Sequence, residues 1–390
     1  VVLKLNGGLG TGMGLEKAKS LLVVREELTF LDFIVQQVKH MRATFGPGVK
    51  FVLMNSFATS EDTLAFLKER FADVAAEAEV ELIQNKSPKV SQETLLPATY
   101  AEDPEKEWCP PGHGDLYPSL LGSGMLDKLL AQGYEYMFVS NSDNLGATLD
   151  LELLKYFAGK QLPFLMEVCE RTAADKKGGH LALKQGQLLL REAAMCPEED
   201  EASFQDITKH KYFNTNNLWV NLKQLKAEIT ANGGLLPLPL IKNKKTVNPR
   251  DDQSTPVFQL ETAMGSAIEC FKGAAAVVVP RSRFAPVKTC NALLGLRSDA
   301  YRVTADSRLV LAAQRQPVIS LDSKYYKKVD KMEALVEAAP SLVGCEKLKV
   351  TGPVKFVAGT VIHGAVEVTN STQEPKVLPA GDYDNQSVTL

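Results

Sequence analysis

LKLNGGLGTGMGLEKAKS, Leu3 to Ser20, runs an apolar strand directly into glycines at 7, 8, 10, 12 and 14 and then into Lys19. Glycine lacks a Cβ, so successive backbone N–H groups can converge on an anion, and a nearby lysine adds a full charge. The pattern therefore points to a phosphate chain held at the end of a strand. Two familiar fingerprints fail on spacing. G-x-G-x-x-G begun at Gly8 meets Met13, and begun at Gly10 it meets Leu15; a P-loop begun at Gly7 reaches Gly12 but then finds Met13 where lysine is required.

Outward from this stretch, short apolar runs alternate with helical patterns, which predicts an α/β sheet domain. Strands are expected at Val1 to Leu5, Lys50 to Met54, Val80 to Gln84, Tyr136 to Ser140, Phe164 to Cys169 and Ala275 to Val279. Between the first two, Leu31, Ile34, Val38, Met41 and Phe45 step by three and four, with Thr29 and Asp32 as a capping pair and Gly46-Pro47-Gly48 as the stop. A second helix opens at Ser60 and carries Leu64, Leu67 and Phe71. Strand, helix, strand order demands parallel crossovers. His180 to Arg191 reads as a hairpin turning at Gln185-Gly186. After Cys345 the chain becomes short β-rich pieces punctuated by Gly352, Gly359 and Gly364, which resemble a few coils of a β-helix.

A chain of 390 residues, 45% hydrophobic and 23% charged, has the composition of a globular protein with room for two domains. A net charge of −3 gives no long-range attraction to nucleic acid, so nucleic acid is not an expected partner. The six cysteines form no C-x-x-C pair, which fits reduced thiols and argues against a disulfide frame or zinc site. No apolar run approaches the roughly 18 residues of a membrane helix, and no membrane association is expected. Val1 falls inside a strand pattern, so a preceding segment is expected to have been trimmed.

Several constellations carry chemistry. In Pro110-Pro111-Gly112-His113-Gly114-Asp115, prolines stiffen the approach to a turn that projects His113 between two glycines. The strand in YMFVSNSDNLGA (Tyr136 to Ala147) ends at Asn141 and Asp143, where α/β sheets bind ligands. A lone aspartate there suits Mg²⁺ when phosphates supply the other oxygens. Gly178-Gly179-His180 and Phe213 to Asn217 (FNTNN) are placed at strand ends, the latter offering carboxamides that both donate and accept, as sugar hydroxyls require; Glu192 joins them. Arg281, Arg283 and Lys288 follow the Ala275 to Val279 strand, as a cation cluster or as an ordinary solvated rim. Together these describe a site for a nucleoside triphosphate and a phosphorylated sugar.

With LNGGLGTGMG and Lys19, QNKSPK (Gln84 to Lys89), PPGHGD, VSNSDNLGA, KKGGHLA, FNTNN and RSRFAPVKT in this order, the sequence resembles the UTP–glucose-1-phosphate uridylyltransferase (UDP-glucose pyrophosphorylase) family, in its trypanosomatid form. The resemblance implies a GT-A-like, Rossmann-related nucleotidyltransferase domain with a mixed, mainly parallel sheet over residues 1–304. A C-terminal domain over 305–390, containing a small left-handed β-helix, would follow. It implies that Leu5, Asn6, Gly7 and Gly8 line the nucleotide, Lys19 the triphosphate, Gln84 the uracil edge and Gly112 the nucleoside. His113 would touch glucose 1-phosphate, Asn141 and Asp143 the nucleotide and Mg²⁺, and Lys288 the reacting phosphates. Gly179, Glu192, Asn214 and Asn216 would face the sugar. Many relatives carry proline where this chain has Ala18.

The implied reaction joins UTP and glucose 1-phosphate into UDP-glucose and pyrophosphate, reversibly, by in-line attack at the α-phosphorus, in a monomeric and cytoplasmic enzyme with a microbody as the alternative location. Lys19, Lys288 and Asp143 would be the catalytic groups. The rival readings are a UDP-sugar or UDP-N-acetylhexosamine pyrophosphorylase and a non-catalytic nucleotide-sugar-binding protein. A GT-A glycosyltransferase is disfavoured because Asn141 stands where its D-x-D metal motif begins.

Overall fold

Val2–Leu5 (β1) lies between Phe51–Asn55 (β2) and Tyr136–Asn141 (β4), parallel to both, and Glu81–Ile83 (β3) continues the parallel run beyond β2. This computed structural model describes residues 1–172 and 175–390. The chain folds into two units, one of Val1–Gly8, Phe45–Asn141 and Leu149–Arg281, the other of Leu9–Thr44, Ser142–Thr148 and Ser282–Leu390.

In the first unit the sheet is mixed. Phe164–Glu170 (β5), the hairpin His180–Lys184 (β6) with Gln187–Arg191 (β7), and Tyr212–Asn221 (β8) extend it, with β8 antiparallel to both β4 and β5. Leu240–Thr246 (β9) and Pro256–Thr262 (β10) pair antiparallel in a separate sheet that Val90–Ser91 extends to three strands, and Ala275–Val278 (β11) returns to run parallel to β5. The hairpin turns at Gln185-Gly186 as expected, both at positive φ (52° and 80°), the geometry that suits right-twisted strands. The six expected strands form within one or two residues of their predicted ends.

Alternation along these strands separates two faces. One carries Leu3, Val52, Met54, Leu82, Val139, Met166 and Leu218 into a core with the helices Leu116–Gly122, Met125–Ala131 and Leu222–Ala231. On the other face, the register of Lys4 with Ser140, and of Leu218 with both Val139 and Met166, brings Lys4, Ser140, Asn217 and Glu167 to the same side of four adjacent strands. Lys4 donates to Ser140 Oγ at 2.8 Å; Glu167 accepts from Asn217 Nδ2 and Trp219 Nε1, both at 3.0 Å. All four residues are buried.

The second unit contains the helix Phe30–Phe45, entered through the expected capping pair: Thr29 N and Oγ1 both donate to Asp32 at 2.8 Å, and Asp32 N donates back to Thr29 Oγ1. Phe45, assigned by its spacing to the apolar face, is half exposed, because Gly46 ends the helix there at φ 100°. In the same unit Val318–Leu321 (β12), Cys345–Thr351 (β13), Val354–Phe356 (β14), Thr360–Thr369 (β15), Lys376–Leu378 (β16), Gly381–Asp384 (β17) and Ser387–Thr389 (β18) pair only in parallel among the described residues. Leu348 faces Val366, Lys355 faces Val377 and Val361 faces Asp382, so the chain returns beside itself about every twenty residues.

Removing the Glu167 carboxylate strands two buried donors. Glu167→Ala is expected to cost about 2–4 kcal/mol, read as a lowered urea midpoint at unchanged m-value; a midpoint equal to wild type would show that the polar line across the sheet contributes nothing.

Candidate active site

Each predicted site residue is placed by the element that carries it. In the first unit, the carboxyl end of β1 delivers Leu5 and Asn6. Asn6 turns its amide inward, donating to Asn55 Oδ1 at 2.7 Å and Thr63 Oγ1 at 3.0 Å, while its backbone N–H donates to Met54 O at 2.7 Å. Gly7 packs directly against the tip of Gln84: a Cβ there would lie 1.7 Å from Gln84 Nε2. The structure thus brings Gln84, at the end of β3, against the first glycine of the loop, while Gly8 has open space around it. Asn141 closes β4, in register with Leu5.

The turn at Gly112 to Asp115 is pinned to the end of β10. Gly112 has φ 82°, and a Cβ on it would lie 2.6 Å from Thr262 O; one on Gly114 would lie 2.4 Å from Thr262 Oγ1. Thr262 N in turn donates to Pro111 O at 2.9 Å. His113 Nδ1 accepts from Met264 N at 2.9 Å. An amide N–H can only donate, so the neutral ring carries its proton on Nε2 and has a donor, not a base, at its other nitrogen.

The carboxamide cluster divides. Asn214, Asn216 and Gly179 belong together: Asn214 Nδ2 donates to Asn216 Oδ1 at 2.8 Å, Asn216 N donates to Asn214 Oδ1 at 2.8 Å, and Asn214 N donates to Gly179 O at 3.2 Å. A Cβ on Gly179 would lie 2.5 Å from the Glu192 carboxylate, so Glu192 is packed onto this group. Thr215 and Asn217 alternate to the opposite face and bond Glu167. FNTNN is therefore inside a ten-residue strand rather than at a strand end, because Glu167 gives its inward polar groups a buried partner. Nothing in the sequence singles out Thr262, Met264 or Gly265, although a Cβ on Gly265 would lie 2.7 Å from Asn214 Nδ2. Their only mark is a Met-Gly-Ser run after a strand.

In the second unit, Gly10 (φ 71°) and Gly14 (φ 79°) bracket a single 3₁₀ turn. Lys19 Nζ meets Asp143 Oδ2 at 2.6 Å, with both side chains largely buried. Asp143 Oδ1 is buried and accepts no hydrogen bond. Asn144 holds the 282–288 loop against its own, donating to Arg283 O and accepting from Ala285 N, both at 3.0 Å. Arg283 is buried and donates to Thr148 O, whereas Lys288 is exposed. Of the three cations read from the sequence, Arg281 lies in the first unit, paired with Asp175, and Arg283 is structural. That leaves Lys288 as the exposed cation available to a ligand.

His180 is fully buried, stacked on His210 at 4.0 Å and tilted against Phe204 at 4.6 Å. Its Nε2 has no hydrogen-bond partner, and burial, with the neighbouring charges of Arg171 and Arg191, pushes its pKa down to about 4. His180 is thus part of the packing behind Gly179. Because an unfolded histidine titrates near 6.5, this group's stabilisation is complete above that pH and is lost as pH falls toward 4, up to about 3 kcal/mol. His210, also lowered chiefly by burial, acts in the same sense. His180→Phe is expected to flatten the fall in stability between pH 6.5 and 4.5 in urea titrations; parallel wild-type and variant profiles would contradict this.

Among known proteins, the family model for UTP–glucose-1-phosphate uridylyltransferase matches residues 1–363. The UTP–glucose-1-phosphate uridylyltransferase of Saccharomyces cerevisiae is 43% identical over all of this chain and 77% of its own length. That of Solanum tuberosum is 42% identical over 98% of this chain and 79% of its own. A UDP-glucose pyrophosphorylase of Leishmania major, solved with UDP-glucose, is 52% identical and aligns with a TM-score of 0.95 over 100% of this chain and 86% of that one. A UDP-glucose phosphorylase of Trypanosoma brucei is 54% identical, with a TM-score of 0.94 over 100% and 85%.

Proposed function

This chain belongs to the UTP–glucose-1-phosphate uridylyltransferase family, and we propose that it transfers the uridylyl group of UTP to glucose 1-phosphate, releasing pyrophosphate and forming UDP-glucose. The observation that carries the reading is the Asp143 carboxylate, which follows the carboxyl end of β4 with one oxygen on Lys19 and the other buried and unpartnered. A buried carboxylate oxygen left without a donor is costly unless a ligand completes it. Among the described residues no three acidic, histidine or cysteine groups converge as a metal cage. A single carboxylate is the donor set Mg²⁺ takes when phosphate oxygens and water fill the remaining positions. Asp143 would hold that ion, and bound there it would neutralise charge on the triphosphate.

The other roles are those the family resemblance implies, and residue chemistry fits them. Glucose 1-phosphate is already ionised near neutral pH, so its oxygen needs no general base to attack the α-phosphorus in line. Catalysis then consists of alignment and charge neutralisation. Lys19 and the N–H groups of Gly7, Gly8 and Gly10 are suited to the triphosphate and departing pyrophosphate, Lys288 to the repulsion between the reacting phosphates. Gln84 and Gly112 would read uracil. His113, with its Nε2–H donor, would bind a phosphate or hydroxyl oxygen of the sugar phosphate. Asn214, Asn216 and Glu192 would take the sugar hydroxyls. We also infer that the parallel C-terminal ladders are coils of a left-handed β-helix, which their return spacing supports.

With Mg²⁺, UTP and a panel of sugar 1-phosphates, pyrophosphate release is expected to be fastest with glucose 1-phosphate. Activity confined to N-acetylglucosamine 1-phosphate, or absent with glucose 1-phosphate, would overturn the assignment. Lys288→Ala is expected to lower kcat by roughly 10²-fold, as for loss of one charge-stabilising group. An unchanged kcat would remove Lys288 from the chemical step.

A further inference from the structure

Reading uracil with a carboxamide raises a problem of selectivity. Uracil offers an acceptor at O4 and a donor at N3, and cytosine offers the reverse. A glutamine amide satisfies either by rotating half a turn. A backbone group has fixed polarity and cannot adapt. Gln84 therefore discriminates only if it is held at a fixed distance from the backbone of Gly112, so that one base satisfies both and the other satisfies one.

We propose that Asp115 is the positioning residue that locks these two base-reading segments together and so sets the preference for uracil over cytosine. This rests on the reading that Gln84 and Gly112 face the base. The Asp115 carboxylate is buried and receives three donors: Asn85 N at 2.6 Å and Ser119 Oγ at 2.8 Å on Oδ2, and Asn85 Nδ2 at 3.0 Å on Oδ1. Asn85 directly follows Gln84. The backbone N–H of the same aspartate donates to Gly112 O at 3.2 Å. One residue thus grips the Gln84-Asn85 turn with its side chain and the Gly112 turn with its main chain. Both turns are anchored elsewhere as well. Lys86 lies 4.8 Å from the Trp108 ring centroid and 5.5 Å from that of Phe57, and Gly112 is packed on Thr262 O. Charge-assisted bonds from a buried carboxylate are the strong kind, and an amide in its place turns two hydrogens toward groups that themselves donate.

The test compares kcat and KM with UTP and with CTP for the full chain and its variants. Asp115→Asn is expected to raise KM for UTP roughly tenfold, leave KM for glucose 1-phosphate and saturated kcat within about threefold, and lower the UTP-to-CTP ratio of kcat/KM roughly tenfold. Asn85→Ala, at an exposed position, removes one of the three donors and is expected to move the ratio in the same direction by about threefold, and it decides the matter if Asp115→Asn does not fold. A ratio unchanged in the folded variants, or equal losses with both nucleotides, would overturn the proposal by leaving Asp115 a purely structural role. Gln84→Ala separates the two failures: if it leaves the ratio unchanged, the base reading of Gln84 is wrong and the proposal falls with it.

Discussion

The parallel register of β1 with its neighbours is the constraint on which the first unit depends. Leu5 stands beside Met54 on one side and Asn141 on the other, so three strands end at the same edge of the sheet. One residue further along each strand stand Asn6, Asn55 and Ser142, and backbone pairing continues there, with Asn6 N donating to Met54 O at 2.7 Å and Gln84 N to Asn55 O at 2.9 Å. Asn6 and Asn55 bond each other, which closes part of that edge and leaves the backbone after Asn6 to continue as the glycine loop. Directly behind the edge, Lys4, Ser140, Asn217 and Glu167 cross the sheet as a buried polar line. A one-residue slip would turn these groups toward the apolar face and break the bonds among them, so they reinforce the register that the apolar face already sets.

Within each unit, the polar side chains singled out from the sequence divide by whether their bonds are already made. Arg283 and Asn144 are committed to backbone partners, Arg281 to Asp175, and Asn217 to Glu167. Lys288 is exposed, and Asp143 keeps one buried oxygen without a donor. The first group holds loops in place at no continuing cost. The second group keeps bonding capacity for a ligand, a solvated cation at Lys288 and a buried carboxylate oxygen at Asp143, and those two residues are the ones proposed for phosphate and metal.

Much of this was legible from local chemistry alone. The Gln185-Gly186 turn, the Thr29 and Asp32 cap and the apolar strands were readable because each depends on residues close in sequence. What could not be read depends on partners far away. Phe213 to Asn217 looks like a polar strand end, because the sequence does not reveal that Glu167 will satisfy Thr215 and Asn217 from the neighbouring strand. Likewise Thr262 and Gly265 gain meaning only through their contacts with Gly112 and Asn214. Arg281 and Lys288 sit in one motif and are alike in charge, yet only the fold separates the paired cation from the exposed one.

His113 brings two lines of reasoning to one point. A phosphate monoester nucleophile is ionised before it binds, so the proposed in-line attack offers a histidine no proton to remove. Independently, Met264 N donates to Nδ1, which leaves Nε2 carrying the ring proton. Acting as a base at Nε2 would require either stripping a neutral imidazole or turning Nδ1 into a donor facing another donor, and both are strongly unfavourable. The fold thus removes the acid–base option and keeps hydrogen-bond donation. For chemistry governed by alignment and charge, a rigid donor held by a main-chain amide is what a histidine at this position can contribute.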